Sequence, residues 1–211
     1  MPAGAPFYLG RGDTGPVQQS SVTCGSASLT VARMLVSPEF SGWIVNGTDP
    51  EGGPTDPRPE SERFAEHERQ VMDHTNGLHA AGGRLNLPWP RALGTPPWGA
   101  EKELEAGAAR PGAAYRMHVV RLGSCNALAE AYRALTSLVR EGQPALLYIG
   151  NARMPRHVTL VIPADSGDSG LSVYDPATGA VTELDQARFT TRTLDIAGWN
   201  VPWLTVQPRK A

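Results

Sequence analysis

Residues 18–27 read Gln18-Gln19-Ser20-Ser21-Val22-Thr23-Cys24-Gly25-Ser26-Ala27 and run into an apolar-periodic stretch that ends at Val36. Ala27, Val31, Met34 and Leu35 fall at helical spacing and form one stripe, which predicts a helix from Cys24 to Val36. Thr23 stands at the N-cap position, and Pro38 follows the end of the pattern. A cysteine therefore opens a helix. The first-turn N–H groups there lack intrahelical partners, and the helix dipole adds partial positive charge; both favour a thiolate, the nucleophilic form of a thiol. Gly25 lets backbone approach closely. Gln18 can bring a side-chain amide beside the sulfur and, with the cysteine's own N–H, cradle an oxyanion. Gln19 takes that place if the turn is built differently.

Working outward, a thiolate needs a group to exchange protons with. Among the five histidines, His157 stands out because it opens the apolar stretch HVTLVI, residues 157–162. PALLYIG (144–150) and LSVYD (171–175) also read as strands. The polar, Gly-bearing stretch from Asp165 to Gly170 predicts a hairpin between the last two. That pairing brings Asp175, at the end of its strand, near His157, where a carboxylate can accept the other ring N–H and fix the tautomer. Each residue alone has an ordinary reading: a small buried thiol, a structural histidine, a turn aspartate. The weight lies in the set, which occurs in the right order on the right element types.

The remaining pattern supports an α+β fold with an N-terminal helix packed on an antiparallel sheet. A strand is expected over 115–122. An amphipathic helix is expected over 126–140, with Leu128, Ala131, Tyr132, Leu135, Leu138 and Val139 facing inward. Residues 63–75 fit a charged helix, residues 49–62 a loop, and residues 77–99 an irregular segment rich in Trp and Pro. Residues 1–17 read as an extended lead-in. We expect one domain over 1–211, with a loop-rich insertion at about 43–110.

Composition narrows the function classes. The chain has 211 residues, 23 glycines and 19 prolines, which predicts many turns rather than a helical bundle. A net charge of −2 offers no excess of cations for phosphates, so nucleic acid is not an expected partner. No apolar run is long enough for a membrane span, and Met1 to Gly10 has no signal-peptide pattern, so the cytoplasm is the expected location. Two cysteines, Cys24 and Cys125, are expected as free thiols there.

Gln18, Cys24 and Gly25, then Arg156-His157-Val158, then Tyr174-Asp175-Pro176-Ala177-Thr178-Gly179 resemble the papain-like cysteine peptidases that process bacteriocin leaders after a double glycine. The resemblance covers about 16–42 and 142–200. It implies a papain-like fold, with Cys24 as nucleophile, His157 as general base and acid, Asp175 orienting His157, and Gln18 rather than Gln19 lining the oxyanion hole. It implies a peptide or protein substrate and no cofactor or metal. Two positions depart from the pattern: Thr23 stands where the family commonly has an acidic residue, and Ala27 where papain has a second cysteine. A deamidase, an acyltransferase or effector, and an inactive binding module are the alternatives on the same fold.

Other features carry less. Glu66, His67, His74 and His79 lie loosely together without metal-ligand spacing, and a solvated helix is the expected reading. Cys125 also precedes a helix, but neither a Gln at the same distance nor a following Gly accompanies it. Oligomeric state is not legible.

Overall fold

The structure, a computed structural model, describes residues 6–165 and 170–210. Helix α1 spans Cys24–Val36, as its apolar spacing predicts. Its cap differs from expectation: the Thr23 side chain makes no bond to the helix. The hydroxyl instead turns back, donating to the Ser20 carbonyl at 2.9 Å and accepting the Ser20 N–H at 3.1 Å. A second helix, α2, follows at Pro38–Asn46, capped by Ser37.

Helices α3 (Glu60–Asn76) and α4 (Pro97–Glu103) occupy much of the stretch read as a loop-rich insertion. Their Phe64, Val71 and Ala100 join the same apolar cluster as α1, so these helices extend the core rather than hang from it. Helix α5 spans Cys125–Leu138, and α6 spans Gln186–Thr191.

The six strands are β1 (Tyr115–Val119), β2 (Ala145–Gly150), β3 (Pro155–Pro163), β4 (Leu171–Tyr174), β5 (Val181–Glu183) and β6 (Val201–Pro208). They form one sheet in the order β1-β6-β2-β3-β4-β5, with every described pairing antiparallel. Helices cover both faces. Leu146, Tyr148, Val158 and Leu160 pack toward α1, while Leu147, Ile149, Val161 and Val173 pack toward α5. Adjacent strand residues point to opposite faces, so a central strand clothed on both sides reads as continuously apolar, as β2 does.

Strand β6 escaped the sequence reading. Its Pro202 argues against a central strand, because proline cannot donate to the ladder. The structure accommodates it at an irregularity, where the β2–β6 register shifts between Tyr148 and Ile149 and Ile149 faces Pro202. The expected turn at Asp165–Gly170 falls largely on residues 166–169, which lie outside the described residues, as do residues 1–5 of the lead-in. The β3–β4 pairing on either side is present, with Leu160 opposite Tyr174.

Candidate active site

Antiparallel pairing sets the end of β4 beside the start of β3, so the residue that leaves β4, Asp175, arrives next to His157. The His157 Nε2 and Asp175 Oδ1 are 2.6 Å apart and buried. His157 is the third residue of β3 rather than its first, and the flanking ladder holds its backbone.

A hydroxyl sets the position of α1 on β3. Ser28 Oγ donates to the Val158 carbonyl at 3.3 Å. Ser28 lies about one helical turn beyond Cys24, and Val158 directly follows His157, so this bond brings the head of α1 to the start of β3. The Cys24 sulfur accordingly lies close enough to the His157 ring to raise the ring's pKa. With Nε2 given to Asp175, Nδ1 is the nitrogen left for sulfur. The three residues are 5%, 6% and 7% exposed for Cys24, His157 and Asp175. They form a buried chain from thiol to imidazole to carboxylate.

The charges follow from that burial. Removal from water alone would depress the His157 pKa, but the Asp175 bond and the Cys24 contact outweigh it and push the ring up to about 9. For Asp175, burial works upward, and the His157 ring, the Ala177 N–H and the Thr178 hydroxyl together hold the carboxyl below its ordinary value. Those bonds are 2.9 Å from Ala177 and 3.1 Å from Thr178. The turn Asp175-Pro176-Ala177-Thr178-Gly179 is thus built around its own aspartate. Gly179, at φ 77°, completes it; a Cβ there would lie 2.4 Å from the Gly15 carbonyl.

The same turn holds the segment that precedes Cys24. Gly15 N–H donates to Gly179 O at 2.8 Å, and Gln18 N–H donates to Pro176 O at 2.8 Å. Tyr174 Oη donates to the Pro16 carbonyl. The Gln18 Oε1 is buried with no hydrogen-bond partner, so its side-chain amide oxygen is not committed to the fold. Gln19 differs: it is exposed, and its side-chain amide donates to Val17 O at 3.0 Å. Because the Thr23 hydroxyl has turned away, no side chain of the cap residue occupies the N–H groups at the head of α1.

Three contributors were not singled out in the sequence. Tyr148 on β2 lies near Cys24, and its hydroxyl donates to Thr95 O at 3.1 Å. Thr95 covers Gly25 so closely that a Cβ there would sit 2.5 Å from the Thr95 Cβ, which gives the Cys-Gly step a steric reason. Glu68, on α3, accepts the Gln19 N–H. A lone Thr in a Pro-rich loop and a Glu in a charged helix have no local pattern that sets them apart.

The other sequence candidates lie elsewhere. His67 is buried against Phe40, ring centroids 4.5 Å apart, and burial with nearby Arg33 brings it down to about 4. His74 approaches Glu103, and Glu66 pairs with Arg58. His79 pairs with Leu85 in an isolated bridge. Among the described residues, no group of three His, Cys, Asp or Glu side chains is placed to hold a metal ion. Cys125 is free and exposed at the head of α5. Among the described residues, no helix is long and apolar enough to cross a membrane.

No family model matches the sequence, and no curated protein matches it. Among solved structures, the Pseudomonas avirulence protein AvrPphB is similar, with a TM-score of 0.43 and 12% identity over 92% of this chain and 97% of that chain. The comparisons do not place the chain in the leader-processing family suggested by residue resemblance.

Proposed function

We propose that this chain is a papain-like cysteine hydrolase that cleaves a peptide or amide bond through an acyl-enzyme. The observation that carries the reading is the His157 ring, shared between a carboxylate at 2.6 Å and the Cys24 thiol. A ring held at about 9 keeps its proton through neutral pH. With the proton on the imidazole, the sulfur attacks as thiolate. The tetrahedral oxyanion is received by the Cys24 N–H and the Gln18 amide. His157 then passes its proton to the departing amine, takes one from water, and water releases the acyl group. Asp175 keeps Nε2 occupied throughout, so Nδ1 faces the reaction. An inactive binding module gives no reason for this buried charge relationship beside a thiol.

The test uses two reagents, iodoacetamide and a p-nitrophenyl ester, with a peptide mixture read by mass spectrometry. Wild-type protein should hydrolyse the ester and be alkylated at Cys24, and Cys24→Ala should lose both at that position. Peptide chain cuts support hydrolysis of amide bonds in the backbone; a gain of about one dalton without a cut would move the reading to a deamidase. Labelling confined to Cys125, with ester hydrolysis surviving in Cys24→Ala, would overturn the assignment.

A further inference from the structure

The segment that carries Gln18 has no regular secondary structure between Pro16 and Thr23, so its shape depends on tethers. Two act on the peptide groups that flank the Gln18 Cα. The Gln18 N–H donates to Pro176 O at 2.8 Å, from the turn after β4. The next N–H, that of Gln19, donates to both oxygens of Glu68 at 3.3 and 3.2 Å, from α3. Peptide groups are planar, so pinning both restrains the two soft dihedrals between them and with them the direction in which the Gln18 Cα–Cβ bond leaves the backbone. One pin belongs to the turn that bears Asp175. The other is the carboxylate of Glu68, a residue of α3 that is 1% exposed.

Glu68 is, with Arg63, one of the buried charged residues of α3. Charged side chains are almost never fully buried unless paired. Its hydrogen-bond partner is the Gln19 backbone amide, in the loop that leads to Cys24; the Thr23 hydroxyl, whose proton goes to the Ser20 carbonyl, and Arg69 lie nearby. Burial pushes its carboxyl up, and these neighbours oppose the rise. Tyr174, already bonded to Pro16, lies close enough to feel the charge. The carboxylate is therefore placed behind the Gln18–Thr23 loop, bonded near its start and close to its end.

We propose that Glu68 is the positioning residue of the oxyanion hole: it holds the Gln19 peptide so that Gln18 points at the carbonyl being attacked. This rests on the hydrolase reading above, and it assigns a specific role in that reaction to the 43–110 segment.

Two reactions of one sulfur separate the role from mere structure. Alkylation by iodoacetamide is a displacement at carbon with no tetrahedral oxyanion, so it reports the thiolate alone. Hydrolysis of a p-nitrophenyl ester needs the thiolate and the oxyanion hole. Glu68→Met keeps the volume and removes the acceptor; it should lower ester hydrolysis about 10- to 100-fold while Cys24 alkylation stays within about threefold, since removing one oxyanion donor costs on the order of 10²–10³. Glu68→Gln keeps an acceptor oxygen and should retain the ratio of the two rates. Gln18→Ala combined with Glu68→Met should be no slower on the ester than Gln18→Ala alone, because the two residues act as one unit. An unchanged ratio in Glu68→Met, equal losses in both reactions, or additive losses in the double variant would each overturn the proposal. Wild-type protein that neither hydrolyses the ester nor alkylates at Cys24 would instead overturn the hydrolase reading, a different result from any of these.

Discussion

The molecule places a cysteine at the head of two helices and treats them differently. Cys24 opens α1 and is buried against the His157 ring; Cys125 opens α5 and is exposed. The α5 head is finished by its own cap, with Ser124 Oγ accepting the Ala127 N–H at 3.3 Å. The α1 head is not, because the Thr23 hydroxyl closes the preceding loop. Both sulfurs have a helix dipole behind them, so the dipole does not distinguish them. A sheet does: β3 and the turn after β4 bring an imidazole and a carboxylate to the head of α1.

The sharpest way to break this contrast is to remove the imidazole. Wild-type Cys24 should be alkylated at least about tenfold faster than Cys125 at neutral pH, since the His157 ring beside it holds a proton there and an adjacent imidazolium favours the nucleophilic form of sulfur. His157→Ala should erase that advantage and lower ester hydrolysis by about 10³-fold or more. Asp175→Asn should follow at about 10²-fold or more, by leaving the ring without its orienting acceptor. In the wild type, hydrolysis should decline on the alkaline side near pH 9, where the ring gives up its proton; in Asp175→Asn that limb should move to lower pH. A limb that stays in place would mean the carboxylate does not set the ring's charge.

How much of this was legible in residues alone divides along the same line. Helix α1 shows in its stripe of Ala27, Val31 and Met34, and strands β2, β3 and β4 show in apolar runs, because each carries a local period or composition. The nearness of His157 and Asp175 follows from an antiparallel pairing that two strands and a short connection predict. What was not legible is what reaches the site from far along the chain. Glu68, Thr95 and Tyr148 touch it through the packing of α3, the Trp- and Pro-rich loop and β2, and no local pattern records that. The turned Thr23 hydroxyl is a case where a cap-forming residue is taken by a competing loop bond. Strand β6 hides behind Pro202, which a register irregularity accommodates.

A smaller effect, on stability, tests the charge at one head and its absence at the other. His157 sits at about 9 in the fold, above the ordinary value near 6.5 that the unfolded chain returns to. The folded state therefore holds a proton that the unfolded state releases. That contribution is present in full below about pH 6.5 and is lost as pH rises through about 9. The urea midpoint should fall across that window in the wild type and stay flatter in His157→Gln. Asp175 runs the other way: burial works against it, but the His157 ring and its turn donors hold it low, so its share is present above about pH 3.9 and lost as pH falls. Equal slopes in wild type and His157→Gln between about pH 6.5 and 9 would remove the ring from the account.

The smallest expected effect comes from making the same kind of change at both caps. Ser124→Ala removes a bond to the Ala127 N–H and should cost about 1 kcal/mol of stability. It should leave ester hydrolysis and Cys24 alkylation untouched, because nothing at the head of α5 enters the reaction. Thr23→Ala removes no cap bond, since none is made. It removes the closure between Ser20 and Thr23 and the Thr23 contact with Glu68, so its effect belongs in ester hydrolysis more than in the melting curve. Two N-cap hydroxyls would then give opposite readouts: one in thermal stability, the other in the ratio of ester hydrolysis to alkylation. On the proposed reaction, a helix head would serve stability where its cap hydroxyl faces the helix, and chemistry where that hydroxyl is committed to shaping the loop beside the sulfur. Matching melting losses with unchanged rates at both positions would show the two heads to be equivalent and leave the sheet alone to distinguish them.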